Sequence, residues 1–293
     1  MKIVCLGEVM VELSHGEGTA TSIGYAGDTF NTAIYLQRAL PEATVCYATK
    51  LGRDPFSANI RDLMAEENLD VRFTLTSPDL LPGLYAISTD AFGERSFHYW
   101  RSASAARSLF QAPALELSAL ADTDLLYLSA ISLAILPEPD REKLICWIES
   151  WNGKFAFDSN FRPSLWASKA EAQKTCERVW RRADIGLPSL DDEIALFGDA
   201  NEEKAIARLK SWGVVQGALK RGEAGPVGLD GTETKLQQVE RVVDSTAAGD
   251  SFNAGYLAAH MQGLPQSIAL AAGHELASKV IQHRGAITPK EVS

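Results

Sequence analysis

The sequence is poor in the residues that mark several common protein classes. Its four cysteines, Cys5, Cys46, Cys146 and Cys176, lie far apart with no C-x-x-C spacing. That pattern predicts buried or partly buried free thiols in a reducing compartment. The five histidines are scattered, and His274-Glu275 lacks the spaced second histidine of a zinc protease. Basic residues are outnumbered, 28 Lys and Arg against 38 Asp and Glu, which argues against a nucleic-acid footprint. Net charge says nothing about one pocket, so a local arginine cluster for an anion stays open. Long apolar runs are missing too. Gly7 and Glu8 interrupt MKIVCLGEVMVEL, and nothing approaches the ~20 apolar residues of a membrane span. The expectation is a cytoplasmic chain without a membrane partner. No G-x-G-x-x-G, G-x-x-x-x-G-K-[ST] or G-x-S-x-G occurs, which weakens dehydrogenase, P-loop and α/β-hydrolase readings.

What is present reads as an ordinary globular enzyme, with 46% hydrophobic and 23% charged residues in 293. KIVCL (2–6) predicts a buried strand, followed by a Gly-rich stretch and a helix over 31–39 stopped by Pro41. TVCYATKLG predicts a strand, and Asp54-Pro55 opens a helix to about Glu67. VRFTLT, GLYAISTD and RSFHYWR then read as short alternating strands, the last two joined at AFGE. Strand and helix alternate again: strands at DLLYLSA, KFAFDSN and ADIGLPS, with helices over 139–151 and 169–181 and from Asp191. GVVQGALKRG and AGPVGLD read as adjacent strands, and a last helix spans about 265–283. This alternation predicts a mostly parallel sheet covered on both faces, in one unit.

TAAGDSF (246–252) carries the chemistry. A helix start offers unpaired N–H groups and a partial positive charge, and Ala247, Ala248 and Gly249 would let an anion approach the backbone. An Asp250 held among those dipoles would stay ionised and could take a proton from a hydroxyl. On this stretch alone, a helix cap with small packing residues is an equally good account.

TAAGDSF resembles the C-terminal signature of the ribokinase-like (PfkB-type) sugar kinases. GYAGDTFNTA resembles their N-terminal signature, and LGRDPF the segment that follows it. HYWR, DSNFRPSLW, LPSLDDEIALFG and LKRGEAG are similar to one branch, the 2-keto-3-deoxygluconate kinases. The resemblance runs from about residue 3 to 288.

It implies an α/β chain with a ribokinase-like three-layer α/β/α core and a mostly parallel sheet. A small antiparallel β lid would come from about 9–26 and 71–101, within a single domain over 1–293. Asp250 would be the base, with Ala247, Ala248 and Gly249 as the anion hole. Gly27, Asp28 and Asn31 would hold sugar hydroxyls. Tyr85, Tyr99 and Arg101 from the lid, with Arg162, would meet a sugar acid, a guanidinium matching its carboxylate with two parallel hydrogen bonds. A neutral sugar would leave such an arginine without its partner. Asn160, Arg162, Lys220, Gly222, Gly225 and Gly249 fall on the nucleotide side. The resemblance implies ATP, Mg2+ and, near Asp244 in several relatives, a monovalent cation such as K+. Where many relatives carry Asn-x-x-Glu, this chain has Ser189 to Asp192, so a metal contact of Asp192 or Glu193 would run through water. Relatives often pair through the lid, which leaves a homo-oligomer open. A kinase of a neutral sugar such as fructose or ribose, or a silent sugar sensor, stands beside the sugar-acid reading.

Overall fold

A computed structural model describes residues 1–15, 21–89, 95–236, 239 and 241–292. In chain order the strands and helices are β1 (Lys2–Leu6), β2 (Met10–His15), β3 (Thr21–Ala26), α1 (Asp28–Ala39), β4 (Thr44–Leu51), α2 (Pro55–Glu66) and β5 (Thr74–Thr76). They continue with β6 (Gly83–Thr89), β7 (Arg95–Trp100), β8 (Leu125–Ser129), α3 (Ala130–Ala134), α4 (Glu138–Ser150), β9 (Lys154–Asp158) and α5 (Lys169–Arg182). The last third holds β10 (Ile185–Gly186), α6 (Leu190–Phe197), α7 (Glu202–Ser211), β11 (Ala218–Leu219), β12 (Val227–Gly228), α8 (Ala248–Met261) and α9 (Gln266–Val280).

Six strands form a parallel sheet in the order β10-β9-β8-β1-β4-β5. The apolar run of β1 supplies both faces, as a strand covered on two sides requires. Val4 and Leu6 join the core under α4 and α5, whereas Ile3 and Cys5 join the core under α1, α8 and α9. This is the expected three-layer arrangement. From β1 the chain builds outward through β4 and β5 on one side. It then returns through β8, β9 and β10 on the other. The order therefore reverses at β1, between β4 and β8, and ligands of such sheets bind outside the carboxyl ends of the strands at that crevice.

A second, four-stranded sheet has the order β3-β2-β6-β7. Its hairpin pairs are antiparallel, but β2 and β6 run parallel. The boundaries expected for this sheet need one correction. Thr74–Thr76 pairs with β4 and extends the core sheet, because the segment leaving α2 runs parallel alongside β4. The AFGE turn expected between β6 and β7, like residues 16–20, lies outside the described residues. Two further adjustments are local. The first helix starts at Asp28 rather than Asn31, with Gly27 as its N-cap residue. α7, which the strand-and-helix pattern did not single out, starts after Asn201, whose side chain accepts the Lys204 N–H at 3.0 Å. All four cysteines are free, and among the described residues no helix is long and apolar enough to cross a membrane.

Candidate active site

Four segments end or begin at the reversal point: β1 runs into Glu8, β8 ends at Ser129, β9 ends at Asp158, and α1 begins at Asp28. Close approach of α1 to the end of β1 requires Gly27, since a Cβ there would lie 2.1 Å from the Glu8 carbonyl oxygen. Asp28, in the first turn of α1, accepts hydrogen bonds from Ser129 Oγ and, at 2.9 Å, from Asn160 Nδ2. Asn160 holds a positive φ of 20° to do so, a conformation that costs energy away from glycine. Its side chain, expected toward the nucleotide, is here committed to Asp28.

Asp250 stands in the first turn of α8, which packs against α1. Asn31 Nδ2 donates to Asp250 Oδ2 at 2.8 Å, and Thr32 Oγ1 donates to the Asp250 carbonyl at 3.1 Å. Asn31 Oδ1 in turn accepts the Gly27 N–H at 3.3 Å. Asn31 thus aims Asp250, a contact its expected hydroxyl-binding part did not include. The surroundings of Asp250 work against the expectation that it stays ionised. Its carboxyl is pushed up to about 8, first by burial and then by the Asp28 carboxylate, with the Asn31 amide working the other way. The helix-start dipole does not outweigh desolvation and two neighbouring acids.

Ala247 precedes α8 in the left-handed region, with φ 61°, and no side chain caps the helix. The Ala248 N–H is turned back to Ser245 O at 3.2 Å, so it is not free for an anion as expected. Gly249 opens on Lys220: a Cβ at 249 would lie 3.8 Å from Lys220 Nζ. An anion at this helix start would meet backbone N–H groups and an ammonium together.

Lys220 Nζ donates to Asp158 Oδ1 at 2.9 Å and to Asn253 Oδ1 at 3.0 Å. Asn253 Nδ2 donates to Asp158 Oδ2 at 2.7 Å and to Tyr127 OH at 3.0 Å. Sequence reading quoted Asp158 within DSNFRPSLW without giving it a part, and missed Asn253, Tyr127 and Ser129. For Asn253 a signal existed: it follows Asp250 by three residues on one helix and so shares its face.

The four-stranded sheet supplies the aromatic side. Tyr85 is buried, donates to Glu12 Oε2, and packs 5.8 Å from the ring of Tyr99, which is 50% exposed. Arg101 departs from its expected state. It is 9% exposed and ion-paired with Glu8, itself 2% exposed. It therefore already has an anionic partner, because β6 pairs with both β2 and β7 and so brings Glu8, just before β2, beside Arg101, just after β7.

Asp192 and Glu193 are adjacent on α6 and point apart, as neighbours on a helix do. Asp192 accepts from Ser159 Oγ at 3.3 Å and lies 3.6 Å from Arg162 Nη1. Its carboxyl is raised first by burial and then by Asp158. Glu193 is fully buried against Arg208 at 2.6 Å, so its expected metal contact is overturned. Burial pushes Glu193 up to about 7 against the pull of Arg208. Arg162 keeps an exposed guanidinium, hydrogen-bonded to the Phe161 carbonyl. Gly222 and Gly225 form the turn between β11 and β12, both at positive φ. Asp244 accepts the N–H groups of Thr246 and Gly285 at 3.0 and 2.8 Å.

Three carboxylates, one ammonium and an open helix start can take a proton from a hydroxyl and hold an anion beside it. Comparison with known proteins gives this chemistry a family. Residues 1–292 match the pfkB family carbohydrate kinase pattern. The chain is 44% identical to 2-dehydro-3-deoxygluconokinase of Escherichia coli K12, covering 99% of this chain and 98% of that protein. It is 28% identical to a fructokinase of Klebsiella pneumoniae, covering 92% and 87%. A PfkB protein crystal structure from Polaromonas superposes with a TM-score of 0.83 at 23% identity, covering 96% of each chain. The chain belongs to the pfkB family of carbohydrate kinases.

Proposed function

We propose that this chain phosphorylates the terminal, 6-hydroxyl of 2-keto-3-deoxygluconate with ATP. The hydroxyl oxygen forms a bond to the γ-phosphorus as the bond from that phosphorus to the β,γ-bridging oxygen breaks. The hydroxyl proton goes to Asp250, and ADP leaves. The observation that carries the chemistry is Asp250, aimed by Asn31 beside the open start of α8. The full-length 44% identity to a 2-dehydro-3-deoxygluconokinase supports the substrate. Phosphoryl transfer asks mainly for positioning and charge stabilisation. Asn31 and Thr32 supply the first, and Lys220 with the α8 N–H groups the second.

Mg2+ keeps several waters and takes one or two carboxylates along with substrate phosphates. Asp192 fits that chemistry, and among the described residues no group of three or more His, Cys, Asp or Glu forms a closed cage. Bound there, Mg2+ would neutralise phosphate charge. Glu193→Gln is expected to leave the Mg2+ dependence of turnover unchanged. It should lower stability by about 1–3 kcal/mol, less than a fully broken buried pair, because Asp199 still holds Arg208. A magnesium titration of rate and a thermal melt check both.

A neutral sugar has one observation in its favour: with Glu8 in place, Arg101 would not be left bare by fructose. A coupled ADP-release assay with 2-keto-3-deoxygluconate, fructose and ribose decides between them. The expected result is turnover on the sugar acid with kcat/KM at least tenfold above either neutral sugar, a difference of about 1.4 kcal/mol. Preference for fructose would replace this reading. No sugar-dependent ADP at all would favour a sensor.

A further inference from the structure

Glu8 is buried just past the end of β1, at the reversal point of the sheet. Its Oε2 accepts two hydrogen bonds from Arg101, from Nε at 2.8 Å and from Nη2. Its Oε1 is buried with no hydrogen-bond partner among the described residues. A buried ion pair with an unsatisfied oxygen is a poor stabilising device, and an apolar pair of similar volume often replaces one without loss. The pair is also given room: a Cβ on Gly83 would lie 2.7 Å from Glu8 Oε1 and 3.2 Å from Arg101 Cβ.

The geometry of the pair suggests what it is for. Arginine carries five N–H donors in a fixed plane. Glu8 takes Nε and one hydrogen of Nη2, the side edge of the guanidinium. Nη1 makes no hydrogen bond among the described residues, so the terminal edge, Nη1 with the outer hydrogen of Nη2, is left over. That edge matches a second carboxylate with two parallel bonds. The Tyr99 ring, 5.8 Å from Arg101 Cζ, borders the guanidinium as well. Arg101 leaves β7 on the same face as Tyr85 and Tyr99, the face that carries Glu12 and Met10.

We propose that Glu8 is a positioning residue for the sugar-acid carboxylate: it holds the side edge of Arg101 so that the terminal edge faces the substrate. Glu8 itself does not touch the carboxylate. The inference rests on the sugar-acid reading above. Two effects compete when Glu8 loses its charge. The field of Arg101 strengthens, which would tighten anion binding, and the guanidinium is released from the orientation that Oε2 imposes. Two parallel bonds to a carboxylate form only when the terminal edge is aimed, and the two bonds to Oε2 set that aim, so its loss is expected to dominate.

The test compares wild type, Glu8→Gln, Arg101→Ala and the double variant in steady-state kinetics on 2-keto-3-deoxygluconate, with thermal melts of each. Glu8→Gln is expected to raise KM for the sugar acid about 10–100-fold, the range of a lost charged hydrogen bond. Both kcat and the KM for ATP should stay within about twofold, since neither depends on the Arg101 edge. In the Arg101→Ala background, Glu8→Gln should add nothing to KM, because it acts only through that arginine. The double variant also carries no lone buried charge, so it reports even if Glu8→Gln alone melts near the assay temperature. An unchanged or lowered KM in Glu8→Gln, or an additive loss in the double variant, overturns the inference and leaves the substrate reading standing. A wild type that phosphorylates fructose and not the sugar acid overturns both.

Discussion

Asp250→Asn is expected to lower kcat by about 10²–10⁴-fold, the contribution of a positioned general base. Asparagine keeps the shape and can still accept the Asn31 amide that now reaches Asp250 Oδ2 at 2.8 Å. What it loses is the ability to take the hydroxyl proton. KM for the sugar should therefore change far less than kcat, the signature of an interaction used in the transition state. Retention of near wild-type turnover would show that another group is the base. The same variant is expected to be more stable at pH 8 and above. Burial and Asp28 raise the Asp250 carboxyl to about 8 in the folded chain, against about 3.9 unfolded. The folded state thus holds this proton more tightly, and the resulting stability is fully present only below about pH 4. It is lost as pH rises toward 8, and the asparagine variant escapes that loss. Allowing for screening by water in the cleft, the gain is on the order of 1 kcal/mol, or about 2 °C in Tm. The rate has the opposite dependence. A base must be ionised, so kcat/KM of the wild type should climb with pH to a plateau above about 8. Because Asp28 and Asp250 interact, that midpoint belongs to the pair. Gain in stability with loss of rate would mark Asp250 as strained for function.

The sequence carried the fold well because its signals are local. The apolar run of β1, the Asp54-Pro55 helix start and the alternation of strands and helices each depend on a few neighbouring residues. The family signatures likewise placed Asp250 at a helix start, where α8 begins at Ala248. What escaped were properties set by distance or by phase. Glu8 and Arg101 are 93 residues apart and meet only because the four-stranded sheet closes over the end of β1. Read alone, Arg101 looked available to a substrate, and Glu8 was only a break in an apolar run. Glu193 was offered to a metal beside Asp192, although one step along a helix turns a side chain about 100° away. The ionisation of Asp250 depended on Asp28, 222 positions earlier, and on burial, neither of which a helix-start dipole reveals. β5 was misplaced because a three-residue strand has no period long enough to name its sheet.

Lys220→Met is expected to damage the chain twice, and the two losses can be separated. Lys220 Nζ bonds Asp158 Oδ1 and Asn253 Oδ1, and Asp158 is only 2% exposed at the end of β9. Removing the ammonium leaves that carboxylate with Asn253 Nδ2 at 2.7 Å and the longer Asn160 N–H at 3.3 Å, and with no counter-charge. Breaking one side of a buried pair costs about 3–5 kcal/mol. A thermal melt should show a large fall. Turnover should fall as well, by about 10²–10³-fold, the usual cost of one donor aimed at developing charge. That part follows from Lys220 bordering the space over Gly249, where a transferred phosphoryl group would sit. The double variant, Lys220→Met with Asp158→Asn, tells the two apart. It removes the orphaned charge, so most of the lost stability should return. The rate should not return with it, since the ammonium beside Gly249 is still gone. If the double variant regains both, Lys220 serves only to neutralise Asp158, and the anion site at Gly249 works through its backbone N–H groups alone.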